Sequence, residues 1–228
     1  MKIFNGIMLP FLGTMIGSMF VFFMSNNISN RYKSLIMSLA SGIMISSAIW
    51  SLMIPSLEQT DNIIISLLGF LCGVLFLFFI NHQTKNNTML FSIVMHNIPE
   101  GLAVGVGFAG ILNGYMTYVM ALTLSIGIAI QNIPEGAIIS IPLYLQNNSK
   151  FRSFIGGSLS GIVEPISAII AFFITSKIVF ILPFILAFAS GTMIYSVIED
   201  LLPETQNKYR IIYFSIGFLL MITLECLF

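Results

Sequence analysis

Three glutamates, Glu100, Glu135 and Glu164, sit inside long apolar stretches of a 228-residue chain that is 57% hydrophobic and 8% charged. An acidic side chain at the centre of a membrane helix costs roughly 2.5–3.5 kcal/mol on insertion scales, so each one needs a partner. No Lys or Arg lies at comparable depth, so either the glutamates are protonated or a cation sits among them. Spacing favours the cation. His96 and Glu100 are related as i and i+4, and Asn97 and Glu100 as i and i+3, which stacks their side chains on one helix face. Gln131, Asn132 and Glu135 repeat the arrangement 35 residues later.

The two copies read His96-Asn97-Ile98-Pro99-Glu100-Gly101 and Gln131-Asn132-Ile133-Pro134-Glu135-Gly136, identical at five of six positions. Each proline lacks an N–H and clashes with the carbonyl four residues earlier, at Met95 and Ile130, so both helices are expected to kink there. Carbonyls freed at membrane depth are tolerated where they line a cavity. Glu164-Pro165 supplies a third acid beside a proline, after a run of small residues from Gly156 to Gly161. One imidazole, carboxylates and amides without cysteine suit a borderline divalent ion such as Zn²⁺ or Fe²⁺, with Mn²⁺ and Cd²⁺ also compatible. A closed structural zinc site more often uses cysteine and histidine alone.

The elements that must carry these residues are membrane helices. A hydrocarbon core of roughly 30 Å is crossed by about 20 apolar residues, and the chain offers eight such runs: 3–24, 34–54, 63–80, 89–112, 118–145, 154–175, 178–202 and 211–228. The first is longer than a signal-peptide core and is read as a helix. No break is long enough for a soluble domain, so residues 1–228 form one transmembrane domain of an all-α polytopic membrane protein. Cys72 and Cys226, both inside apolar runs, read as small packed residues rather than disulfide partners.

Basic residues near helix ends stay on the cytoplasmic side. Arg31, Lys33, Lys85, Lys150, Arg152, Lys208 and Arg210 follow runs one, three, five and seven, against Lys2 and Lys177 on the other side. Both termini are therefore expected outside, and the two motif copies antiparallel. Ser41 to Leu52 also resembles Ser190 to Leu201, a second pair of opposite direction. Transporters often hold their substrate at the interface of such inverted repeats.

At the paired motifs the chain resembles the ZIP (Zrt/Irt-like) family of divalent metal transporters. Residues Ser46 to Leu52, the Gln131-Asn132 pair and Gly161-Ile162-Val163-Glu164-Pro165 resemble its GufA branch in particular. The resemblance implies an eight-helix fold in a 3+2+3 arrangement with inverted repeats. It implies a homodimer in the cell membrane that brings Zn²⁺, and related ions such as Cd²⁺, Fe²⁺ or Mn²⁺, into the cytoplasm. It further implies a two-metal centre between runs four, five and six. The first position would use His96, Asn97, Glu100, Gln131 and Glu135, and the second Asn97, Glu100, Asn132, Glu135 and Glu164. Asn132 stands where some members have Asp, which removes a charge from the second position. Glu199, Asp200 and Glu204 fall where the resemblance suggests a metal exit site; an acidic cap at the membrane interface is the plainer reading.

Glu58 and Asp61 fall at the expected outer mouth, His82 in a solvated loop, and Glu225 in the last run without a visible partner. An intramembrane metalloprotease needs a His-Glu-x-x-His helix, and two histidines, His82 and His96, do not supply it. No enzyme activity is expected. A proton-coupled carrier of another solute, with the buried glutamates as relays, is the competing reading.

Overall fold

The computed structural model describes residues 2–24, 30–83, 88–112, 114, 116–147, 149–175 and 181–227. Lys85, Lys177 and the start of the seventh run lie outside the described residues, as do the side chains of His96 and Glu225. Among the described residues the regular structure is all helical: α1 Lys2–Ser18, α2 Asn30–Ser47, α3 Ile54–Glu58, α4 Ile63–Gln83, α5 Thr88–Leu112, α6 Tyr118–Asn147, α7 Lys150–Ser160, α8 Val163–Thr175, α9 Leu182–Ser196 and α10 Arg210–Leu227. Among the described residues six helical stretches are long and apolar enough to cross a membrane, and Asn97–Leu112 within α5 and Arg210–Leu224 within α10 are shorter apolar stretches. Helices satisfy their backbone internally, which is why apolar runs of this length take no other form in lipid. The chain is a polytopic α-helical membrane protein.

Four runs depart from simple helices. The first ends in a 3₁₀ turn, Met19–Phe23. The sixth is split by a turn at Gly161-Ile162 into α7 and α8, immediately before Glu164-Pro165, where the missing proline N–H interrupts the ladder. By contrast α5 and α6 are helical without interruption through Pro99 and Pro134. The irregular backbone lies instead in π-helical stretches, Ala48–Met53 after α2 and Val197–Leu201 after α9. There Ile54 N–H donates to Ile49 O and Leu202 N–H to Val197 O, five residues back. Each stretch is followed closely by a proline, Pro55 or Pro203, which cannot join the regular ladder.

The two π stretches fall at matching places in the Ser41–Leu52 and Ser190–Leu201 repeats, since position 48 pairs with position 197. The packing repeats in the same way. Four helix pairs dominate: α1 with α6, α5 with α8, α4 with α9, and α2 with α10. Exchanging run one with six, two with seven, three with eight and four with five maps these pairs onto one another. Glycines mark the equivalent crossings: Gly42 abuts the carbonyl of Phe214 as Gly191 abuts that of Phe70, and Gly217 abuts that of Leu39 as Gly73 abuts that of Phe188. Small residues let backbones touch where lipid supplies no hydrophobic drive for helices to associate. The described chain thus divides into three, two and three segments. The connection at 113–117 joins α5 to α6, and two long helices in contact across so short a link run antiparallel.

Two readings of single residues change. Cys72 and Cys226 are unpaired, as expected, but exposed on the outside of the bundle rather than packed within it. His82 lies in the last turn of α4 instead of a loop, its exposed ring nearly parallel to that of Phe78. Helix α4 runs past the apolar stretch because Asn81, His82 and Gln83 extend it beyond position 80.

Candidate metal centre

Four helices meet around the paired motifs. Helix α1 crosses α6 where Gly13 abuts the Ala129 carbonyl, Gly17 that of Ile133, and Gly136 that of Thr14. Helix α8 crosses α5 in the corresponding way, with Gly101 against the backbone of Glu164 and Gly105 against that of Ala168. The last glycine of each motif therefore sets how near the neighbouring helix comes to the motif's polar side chains. Pro10, inside α1, leaves the Gly6 carbonyl without its helical partner, and the hydroxyl of Ser125 on α6 donates to it at 2.6 Å.

The side chains so gathered are fully enclosed. Asn97, Glu100, Gln131, Asn132, Glu135 and Glu164 are each at most 2% exposed. Gln131 Nε2 donates to Glu100 Oε1 at 3.0 Å. Glu164 takes three donors: Thr14 Oγ1 at 3.1 Å and Asn97 Nδ2 at 3.2 Å on Oε1, and Asn132 Nδ2 at 2.8 Å on Oε2. Each asparagine amide also reaches a carbonyl in the paired helix at 3.4 Å, Asn97 that of Ser160 and Asn132 that of Pro10.

These contacts expose a symmetry that sequence reasoning missed. Pro10 and Ser160, and Thr14 and Glu164, stand 150 residues apart and take equivalent contacts from the two motifs. Thr14 occupies, in the first half, the place that Glu164 occupies in the second. The one signal that could have found it is that repeat, and α1 and α7–α8 share too few residue types for the sequence to show it.

The donors and acceptors do not balance. The amide N–H groups of Asn97, Gln131 and Asn132 are spent on carboxylates and carbonyls, whereas Asn97 Oδ1, Gln131 Oε1, Asn132 Oδ1 and Glu100 Oε2 are buried without a hydrogen-bond partner. An unsatisfied buried acceptor costs about 1–3 kcal/mol. Helices α5, α6 and α8 contain no Lys or Arg to supply donors. Oxygen atoms gathered without donors are what a hard or borderline divalent cation takes as ligands. Among the described residues no three His, Cys, Asp or Glu side chains group as a metal cage by themselves.

The other acidic residues stand apart. Glu199 and Asp200 lie in the π stretch after α9, and Glu204 in the 3₁₀ turn that follows, where its Oε2 is 2.8 Å from Lys33 Nζ. Glu58 borders a cavity of about 450 Å³ walled by Trp50, Ser51, Pro55, Met116 and Leu124; Asp61 does not line it.

An all-helical membrane protein whose buried cluster of acids and amides sits at a repeat interface has the form of a cation carrier or pore. Comparison with known proteins narrows this. The family model described as ZIP Zinc transporter matches residues 81–225, well over half of the chain, and the chain belongs to that family. It is 44% identical over 142 residues to Zinc transporter ZIP11 of Homo sapiens, covering 60% of this chain and 42% of that one. It is 38% identical over 124 residues to Zinc transporter GufA of Myxococcus xanthus, covering 54% and 47%. It is 28% identical over 207 residues to Zinc transporter ZIPB of Bordetella bronchiseptica, covering 79% and 65%. The chain thus matches about half the length of the first two, and the likeness to GufA supports the branch read from the motifs.

Proposed function

We propose that this chain carries divalent metal ions, zinc above all, across the cell membrane into the cytoplasm. The observation that carries the reading is the cluster of buried acceptor oxygens on Asn97, Glu100, Gln131 and Asn132, without donors, beside Glu135 and Glu164. The relatives' names as zinc transporters support zinc as the ion. A first ion would take His96, Asn97, Glu100, Gln131 and Glu135, and a second Asn97, Glu100, Asn132, Glu135 and Glu164. Two divalent ions against three carboxylates leave one net positive charge, so shared ligation holds the pair together. Cd²⁺, Fe²⁺ and Mn²⁺ suit the same oxygen-rich set.

The cavity beside Glu58 would be the outer entrance. Its wall residue Leu124 lies seven residues before Gln131, about 10 Å along α6 at 1.5 Å per residue. On the opposite side Glu199, Asp200 and Glu204 would receive the departing ion. Both termini would face outward, and the protein would act as a homodimer.

Zinc uptake by proteoliposomes of the purified chain, with competing metals, tests this. Glu100→Ala and Glu135→Ala should each reduce uptake by at least about tenfold, since a contact to a charged group is worth about 1.5–3 kcal/mol. Glu164→Gln should keep metal at the first position and lose less. Near-normal zinc uptake by correctly inserted Glu100→Ala would remove the site assignment.

A further inference from the structure

Away from the chamber, a cavity of about 710 Å³ opens between the start of α2 and the connection from α9 to α10. Its charged lining is Arg31, Lys33 and Lys208 against the single acid Glu204. Lys33 and Glu204 pair at 2.8 Å, which leaves Arg31 and Lys208 as excess positive charge. Both of these cations lie over the ring of Tyr209, the Arg31 guanidinium carbon 5.4 Å and Lys208 Nζ 4.8 Å from its centroid. Aromatic faces attract cations, and an anion lying near both would further stabilise two like charges gathered at one ring. Arg210, two residues beyond Lys208, turns its Nη1 to the Thr205 carbonyl instead.

The wall holds a second, independent sign. Ser34 is 6% exposed, lines the cavity, and its Oγ is buried without a hydrogen-bond partner. Its neighbour Ser38 shows what a helical serine does otherwise: Ser38 Oγ donates to the Ser34 carbonyl at 2.7 Å. Ser34 has the Asn30 carbonyl four residues back at the start of α2, yet its Oγ makes no such bond. The hydroxyl is thus an unused donor in the cavity wall.

We propose that this cavity binds a phosphate-bearing anion, held by the Arg31 guanidinium and the Lys208 ammonium and accepting a hydrogen bond from Ser34 Oγ. Guanidinium donors match phosphate oxygens in a fork, and an ammonium adds a point charge. The cavity lies among the basic residues expected on the cytoplasmic face, where anionic phospholipids concentrate and basic pockets between membrane helices hold their headgroups. The phosphate can come from such a lipid or from a soluble phosphate compound, and the recognition chemistry is the same. Bound there, it also draws on Lys33, which competes with the Lys33–Glu204 pair and leaves the Glu204 carboxylate more open to cations.

Native mass spectrometry of the purified chain in neutral detergent tests this, with phosphatidylglycerol, phosphatidylcholine and inorganic phosphate as probes. Phosphatidylglycerol should bind at one equivalent and outcompete phosphatidylcholine. The double variant Arg31→Gln/Lys208→Gln should weaken it by at least about tenfold, the order of loss of a charge-assisted contact. Lys150→Gln, which removes a cation outside the cavity, should not. Ser34→Ala should melt no lower than wild type without lipid and gain less stability when phosphatidylglycerol is added, a contrast that a folding defect would not give. Competition by millimolar inorganic phosphate would identify a soluble phosphate compound as occupant, and its failure the lipid headgroup. Equal binding of the two lipids, or equal losses in the double variant and Lys150→Gln, would overturn the site.

Discussion

Asn132 is the residue at which charge and geometry are most finely set. Its amide N–H₂ donates to Glu164 Oε2 on α8 and to the Pro10 carbonyl on α1, hydrogen bonds between helices that bring the side chain beside the Glu164 carboxylate. Asn132→Asp replaces that donor with a second carboxylate at a 2.8 Å contact. Without metal the two acids repel or must share a proton, and the protein should melt lower than wild type. With zinc the added charge strengthens binding of a second divalent ion. The variant should therefore show a larger zinc-induced rise in melting temperature and a higher metal count by elemental analysis. Its maximal uptake rate should be unchanged or lower, because conduction needs sites weak enough to release. An unchanged metal count in a destabilised variant would take Asn132 out of the ligand set.

Between elements, the decisive contacts are backbone against backbone. A Cβ at Gly136 would run into the Thr14 carbonyl of α1, and one at Gly101 into the backbone and Ser167 hydroxyl of α8. The Ser167 hydroxyl can turn, but the Thr14 and Glu164 backbones cannot step aside. Gly136→Ala should push α1 from α6 and cost about 1–3 kcal/mol, as overpacking does, while drawing Pro10 away from Asn132. Gly107→Ala is the control, since its nearest neighbour is the Leu124 side-chain methyl at 3.2 Å, which can rotate. Thermal unfolding in detergent should separate the two substitutions, with zinc-induced stabilisation reduced in Gly136→Ala alone. Equal effects would mean that the close crossing does not position the chamber.

For the whole molecule the question is which side each half faces. The seven-to-two division of basic residues predicts the termini and the Glu58–Asn62 loop outside. Single cysteines at Asn30 and Gln59, in a background lacking Cys72 and Cys226, report on this directly. In intact cells only Gln59→Cys should react with an impermeant thiol reagent. Equal or reversed labelling would invert the proposed direction of entry and exit, although the pairing of α1 with α6 and of α5 with α8 would stand.

The helical, membrane-spanning character of the chain, the paired motifs and the list of buried acids were legible in the sequence, because length and hydropathy decide what can cross lipid. Helical spacing alone put Asn97 with Glu100 and Asn132 with Glu135. Partners between helices were not legible. That Glu164 accepts from both motif asparagines and from Thr14, and that Lys33 reaches Glu204 from 171 residues away, depend on which helices cross and at which glycine. Nor did the motif prolines place the irregular backbone: α5 and α6 absorb Pro99 and Pro134, and the π turns form before Pro55 and Pro203. Periodicity is a property of one helix, so it fixes which side chains share a face. The crossings that turn two such faces into one chamber are long-range packing, and only the tertiary structure decides them.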